Sequence, residues 1–251
     1  MWKWIKNLFA PKHKKSEPKP KPEVESPAQD DYSTPEEVYY ADRPKDLPAS
    51  NHYDGWDKEK LKKEYTYLYS LAVVKPEWQR LTNQYLEKYK ANKHRYEAIS
   101  RLTPNRVPPK VIAVIHMKES SMDFNDHLHN GDPLTRRTVQ VPAGRPKAAP
   151  KNGKTYTFEE SALDALEYDG LTKVTDWSVG NMFLFLEKYN GSGYRTGAGR
   201  NTIPRNASPY IYSGTQFYHS GQYVSDGKFS STAKAKNLGC MAFLKALDSV
   251  E

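Results

Sequence analysis

The chain has a single cysteine, Cys240, among 251 residues. No intrachain disulfide can form, and no cysteine-based zinc site can be assembled. It also lacks any apolar run of about 18 residues, the length a membrane-crossing helix needs, so no transmembrane helix is expected. Met1 to Ala10 reads as a poor secretory signal. The apolar residues of Met1 to Ala10 are interrupted by Lys3, Lys6 and Asn7, and no small-residue cleavage site follows. No internal repeat is present. A continuous phosphate-tracking face is disfavoured too, because Glu59, Glu64, Glu77, Glu87 and Glu97 interleave with the basic and Tyr-rich stretch. Nucleic acid is therefore not an expected partner.

What is abundant is proline and positive charge, with 18 prolines and a net charge of +8. The charge is unevenly placed. Lys3, Lys6, Lys12, Lys14, Lys15, Lys19 and Lys21 face only Glu17 at the start of the chain, whereas Glu23 to Asp46 is acidic. Such a tail suits anionic lipid, nucleic acid or an anionic wall polymer, and composition does not choose among them. At about 100° per residue, Trp2, Trp4, Ile5, Leu8 and Phe9 share one face opposite Lys3, Lys6 and Asn7. Residues 1–10 thus have the pattern of a short interfacial helix making peripheral membrane contact, and a disordered start is the alternative. Residues 11–50, rich in proline and charge, are expected to be a linker. Residues 51–251 are expected to form one folded domain with a real core.

Within that domain the hydrophobic period is mostly helical. Asp57 is placed to cap a helix to about Val74, with Leu61, Tyr65, Leu68 and Ala72 at helical spacing. Pro76 can open a second helix, to about Ser100, and Pro108 and Pro109 a third. Thr157 and Glu160 form a capping-box pattern for Phe158 to Tyr168. Asp176 can cap Trp177 to Tyr189, and a last helix is expected over about Thr232 to Ala246. Between Phe124 and Gly153 the helical period stops. His127 to Pro133 reads as a turn, and Thr135 to Val141 alternates like a strand. The expected fold class is mainly α (α+β): a helical domain with a small β wing after the third helix.

The third helix carries the most informative stretch. Val111 to Ser121 is an apolar run that ends on a glutamate and two serines. Burial disfavours the charged form of a carboxyl, so Glu119 could stay protonated near neutral pH and act as a proton donor. Equally, Glu119 could mark where a core helix reaches solvent. Two further segments bear on the choice. Glu187 to Tyr194 closes another helix on Tyr189-Asn190-Gly191, and Tyr210 to Gly214 with Phe217-Tyr218-His219 is rich in aromatics. A glycan groove needs flat apolar surfaces that also hydrogen-bond, which Tyr and Asn supply.

These segments, over about Lys58 to Leu247, resemble the lysozyme-like superfamily of peptidoglycan glycosidases. The nearest likeness is to goose-type lysozymes, soluble lytic transglycosylases and phage-associated lysozyme-family proteins. Glu119-Ser120-Ser121 looks like the family's catalytic glutamate motif, and Tyr189-Asn190-Gly191 like its Tyr-Asn-Ala-Gly motif, with Gly191 where Ala is usual. His127 to Leu134, Val141 to Pro146 and Tyr212 to Tyr218 look most like the phage-type members. The resemblance implies a lysozyme-like fold and cleavage of the β-1,4 bond between N-acetylmuramic acid and N-acetylglucosamine in peptidoglycan glycan strands. It makes Glu119 the general acid, Tyr189 an orienting group and Asn190 a contact to N-acetyl or hydroxyl groups. Ser120 is set either to hydrogen-bond Glu119 or simply to end the helix. His129, Tyr194, Tyr212 and Tyr218 complete the expected sugar-binding set.

A second carboxylate is needed for inversion, about 6.5–9.5 Å from the acid. Asp132 is the candidate, beside a plain turn role in Asn130-Gly131-Asp132-Pro133; Asp123 and Asp126 fit cap and turn roles. Without a facing carboxylate, the family's transglycosylase route remains, in which the substrate's own 6-hydroxyl attacks. His116, His127 and His129 with Asp132 suggest a metal set, but the spacing does not match the i, i+4 helix pair of many zinc sites. No metal and no cofactor are expected. The alternative from another class is a non-catalytic wall-binding or structural module. No export signal is evident, so localisation is left open between membrane association and delivery by a pore, a virion or a dedicated secretion route.

Overall fold

A computed structural model describes residues 57–250, apart from Ser192, Ile203, Pro204 and Asp226. The expected interfacial segment 1–10 and linker 11–50 lie outside the described residues. The described chain is mainly helical. It runs α1 (Lys58–Leu71), a 3-10 turn (Pro76–Trp78) leading into α2 (Gln79–Leu102), α3 (Pro109–Ser120), α4 (Phe158–Tyr168), α5 (Val179–Asn190), the short α6 (Gly193–Thr196) and α7 (Pro209–Tyr212), a hairpin β1 (Gln222–Ser225) and β2 (Lys228–Ser230), and α8 (Cys240–Asp248). No helix among the described residues is long and apolar enough to cross a membrane.

The starts of these helices follow side-chain chemistry. Asp57 Oδ1 accepts from the amides of Glu59 and Lys60, each at 3.1 Å, and so satisfies donors that a first turn leaves unpaired. At α4, Thr157 Oγ1 accepts from Glu160 N while a Glu160 carboxylate oxygen accepts from Thr157 N at 2.7 Å, closing the expected capping box. Asp176 acts one step earlier than expected. Its carboxylate accepts from Ser178 N, and the helix begins at Val179.

α3 is the centre of the molecule. Every residue from Val111 to Ser120 is buried, which is the pattern of a helix enclosed on all sides. α2 and α8 pack against it, while α1 packs against α5. The close approach of α1 and α5 depends on Gly180, where an added Cβ would stand 2.3 Å from the Lys62 carbonyl oxygen.

Two expectations are corrected. No β wing follows α3: Thr135 to Val141 forms no strand, and the described sheet is the β1–β2 hairpin, paired Gln222↔Ser230 and Tyr223↔Phe229. The amides of Val139 and Gln140, which a neighbouring strand would have used, donate to Asp132 Oδ2, both at 2.9 Å. Pro142 and Pro146, each after a cis peptide bond, bring no amide hydrogen to a ladder. The last helix starts at Cys240 and not near Thr232. Residues before it run against the backbone of α7's end, where Gly239 N donates to Ser213 O at 2.8 Å and Ser213 Oγ donates to Asn237 O. A Cβ at Gly239 would sit 2.6 Å from Ser213 N and O, so only glycine fits this crossing.

Candidate functional site

Glu119 lies in the last turn of α3 and is 1% exposed. The helix then stops on two successive left-handed residues, Ser121 (φ 55°) and Met122 (φ 58°), whose amides return to Met117 O and His116 O. Left-handed non-glycine backbone costs about 1–2 kcal/mol per residue, so the chain bends sharply behind the carboxyl at some expense. Lys88 Nζ holds the bend by donating to Ser121 O at 2.8 Å.

One tyrosine bonds the carboxyl, and a second, whose strongest charged neighbour is Asp169, also lies within its field. Tyr210 Oη, from α7, donates to Glu119 Oε1 at 3.3 Å. Tyr189, at the end of α5, feels the Glu119 charge and donates through Oη to Leu128 O at 3.4 Å. Burial first, then nearby carboxylates including that of Glu119, raises both phenols well above their ordinary range, so both remain hydroxyl donors. Lys118, the residue before the acid, is also buried. Its Nζ donates to Leu238 O at 2.9 Å and stands 4.8 Å from the centre of the Tyr210 ring. Burial lowers its pKa to about 8, against the opposing pull of Cys240 and Glu119. Burial pushes the Cys240 thiol up to about 12, so it is an inert core group.

Asn190 lies next to Tyr189 and is 6% exposed. Its Oδ1 is buried and accepts no hydrogen bond from the described residues, an acceptor that a bound N–H or O–H could satisfy. Ser120 does not bond the acid in the described contacts; its Oγ donates back to His116 O at 3.3 Å, the helix-ending role.

Asp132 is 5% exposed and occupies a turn. Its Oδ2 accepts from Asn130 Nδ2 at 3.0 Å and from the Val139 and Gln140 amides. Its hydrogen-bond partners are therefore those of the 130–140 turn, a set distinct from that around Glu119. Nearby Asp126 is half-buried, and its pKa is raised to about 6 by burial and by the charges of Asp123 and Asp132. Asp123 is a turn residue: Oδ1 accepts from Asn125 N and Nδ2.

The histidines have fixed structural partners. His116 Nε2 faces the carbonyl of Asp123 at 3.0 Å, which can only accept, so Nε2 carries the proton and Nδ1 accepts from Tyr96 Oη at 2.9 Å. Its ring packs on Phe158 and Phe124, and burial lowers its pKa to about 3. His127 and His129 share Ser161 Oγ, at 2.8 and 3.4 Å. His129 Nε2 also meets Asp164 Oδ1 at 2.8 Å, which Arg145 Nε approaches at the same distance. This network fastens the 127–147 segment to α4. No cluster among the described residues could hold a metal ion.

Three expected sugar-binding tyrosines have other partners. Tyr194 Oη accepts from Tyr223 N at 3.3 Å, and the two rings meet edge-on in a small satellite cluster with Phe229. Tyr218 Oη donates to Gly221 O and accepts from Ala235 N, tying the hairpin to the chain before α8. Tyr212 packs against Tyr65 and Phe217 in the core.

Sequence reasoning missed a buried ionic cluster. Arg195 is 0% exposed, and its Nε donates to Glu187 at 3.0 and 3.3 Å, with Glu64 at 3.4 Å and Tyr65 Oη at 3.2 Å. Glu64, read from sequence as one of several interleaved surface acids, is fully buried here. Burial alone would lower the Arg195 pKa, but the charges of Glu187 and Glu64 dominate and keep it protonated. The only hint in the sequence is helical phase, since Glu64 lies one turn from both Leu61 and Leu68. Tyr210 was legible only as part of an aromatic segment.

Two surface cavities, of about 740 and 750 Å³, are formed by described residues, and neither is lined by Glu119. Comparisons with protein-family models, curated proteins and solved structures find no match to this chain. The functional reading therefore rests on the chemistry of the site.

Proposed function

We propose that the chain is a peptidoglycan glycosidase, built on a lysozyme-like helical domain, that cleaves the β-1,4 bond between N-acetylmuramic acid and N-acetylglucosamine. The observation that carries the reading is the seat of Glu119. A carboxyl at the end of a fully buried helix receives a phenol from α7 and lies beside a second phenol that precedes the buried, unsatisfied Asn190 Oδ1. In this reading Glu119 protonates the glycosidic oxygen as the bond to the sugar breaks. Tyr210 holds the carboxyl in place, Tyr189 shapes its field, and Asn190 Oδ1 accepts from a substrate amide or hydroxyl. The turn bonds of Asp132 Oδ2 favour a single-carboxylate route, in which Glu119 next takes the proton from the attacking 6-hydroxyl of the same sugar. Because the acid is 1% exposed, a glycan meets it only when part of the surrounding cover moves.

That same burial favours a second reading, a wall-binding module without catalysis. Digestion of purified peptidoglycan by wild type and Glu119→Gln, with released muropeptides weighed by mass spectrometry, separates the two. The glycosidase reading expects 1,6-anhydro ends from wild type and a loss of release of at least about 10²-fold in the variant. Reducing ends would instead show hydrolysis. No release by wild type, together with pelleting of the protein with the wall, would establish the binding module.

A further inference from the structure

A second feature of the molecule is a cavity that Glu119 does not line, bordered on one side by Lys188 and Gly191 around the end of α5. Lys58 and Lys62 from α1, Lys173 from the loop before α5, and Lys188 from α5 surround a cavity of about 740 Å³ whose wall includes Leu184 and Phe185. Three elements distant in sequence thus bring four lysines to the wall of one concavity. Counter-charge is sparse. It lies at Lys62, which meets Glu59 at 3.2 Å and whose charge also acts on the Asp176 carboxylate in the wall. Among the described residues, Lys58, Lys173 and Lys188 form no ion pair.

We propose that this cavity binds an organic phosphate chain carrying at least two phosphate groups on a carbon backbone. Three properties select that class. Four like charges around one space repel one another, and an anion of matching spread relieves this. The cationic groups are all lysine, a compact point charge that meets phosphate oxygens without a fixed planar geometry. The volume exceeds that of a single phosphate, and the Leu184 and Phe185 wall offers contact to carbon and not to charge.

The test uses the full chain, isotopically labelled and titrated with a three-unit glycerol phosphate oligomer while amide NMR shifts are followed. Shifts should concentrate on residues 58–62 and 173–191. Affinity should fall about tenfold or more in the Lys173→Gln/Lys188→Gln double variant, equivalent to about 1.4 kcal/mol. It should hold within about twofold in a variant with Lys12, Lys14, Lys15 and Lys19 changed to Gln. Both cavity lysines are exposed, so the double variant should keep the wild-type spectrum elsewhere. Inorganic tripolyphosphate has charge without carbon and should bind at least threefold more weakly. Shifts or affinity that follow the N-terminal lysines, unsaturable binding, or equal binding of tripolyphosphate would overturn the proposal. None of these results depends on whether peptidoglycan is cleaved.

Discussion

Acid should unfold this protein through His116 before most of its carboxylates are protonated. The imidazole is enclosed by Phe124, Phe158 and Tyr96, and both nitrogens are committed, Nε2–H to the Asp123 carbonyl and Nδ1 to the Tyr96 hydroxyl. Burial is the main cause of its low pKa of about 3. The Asp123 carbonyl and charge oppose the shift, and Arg95 and Lys88 reinforce it. The unfolded chain takes up the proton near pH 6.5 while the folded chain refuses it until about pH 3. Stability is therefore intact above pH 6.5 and lost as pH falls through that window. At about 1.36 kcal/mol per pH unit, the loss reaches about 3 kcal/mol by pH 4.5. Asp126 acts in the opposite sense, because its pKa is about 6 in the fold and 3.8 outside it, so acid favours its folded form. It is half in solvent, which discounts its share to about 1 kcal/mol. The net loss at pH 4.5 is thus about 2 kcal/mol. Urea unfolding at pH 7 and 4.5, for wild type and His116→Phe, measures it. The variant strands the Tyr96 hydroxyl and the Asp123 carbonyl and should lose about 2–4 kcal/mol at pH 7, yet its stability should hardly fall further with acid. Parallel pH curves for the two proteins would refute the argument.

Other outcomes follow from single contacts. Asp126→Asn removes a carboxylate that the fold disfavours, and should raise stability at pH 7 by about 1 kcal/mol with no gain at pH 3.5, read by urea midpoints. Ser121→Gly relieves the left-handed backbone behind Glu119 and should stabilise by about 1 kcal/mol, since the bond at this position uses the Ser121 carbonyl and not its side chain. Gly180→Ala drives a methyl into the Lys62 carbonyl and must push α1 from α5; a loss of more than about 3 kcal/mol in thermal or urea unfolding is expected. A soluble, equally stable variant would show that this helix contact is not as close as described.

Local chemistry explains which parts of the fold the sequence could disclose. The starts of α1 and α4 were legible because a single side chain, Asp57 or Thr157, closes them with bonds to neighbours two or three residues away. The apolar run of α3 announced its burial for the same reason. Residues 135–141 alternate like a strand but form none, because the amides of Val139 and Gln140 are taken by the carboxylate of Asp132. The hairpin had a signal that was passed over, the Asp226-Gly227 dipeptide between short alternating runs. At the site, Glu119 and Asn190 lie at the ends of α3 and α5, and the Glu119 charge acts on Tyr189. Tyr194, Tyr212 and Tyr218 went elsewhere, because aromatic composition does not say whether a ring faces a groove or the core. Arg195 with Glu64 and Glu187 was invisible, since the charges are brought together only by tertiary packing.

The position of α8 after all the elements it packs on has a consequence for how the molecule is made. Cys240 to Leu244 are each 0% exposed, and this helix packs against α2, α3 and α7, all synthesised earlier. α1 likewise waits for α5, about a hundred residues downstream. At about 5–20 residues per second, that wait lasts several seconds on the ribosome. During it the apolar faces of α1 and α3 lack their partners, and long-range closure of this kind slows folding. The core therefore cannot seal around α3 from the N-terminal side alone, and it closes only once α8 has emerged. Chaperone capture and aggregation compete with closure in that interval.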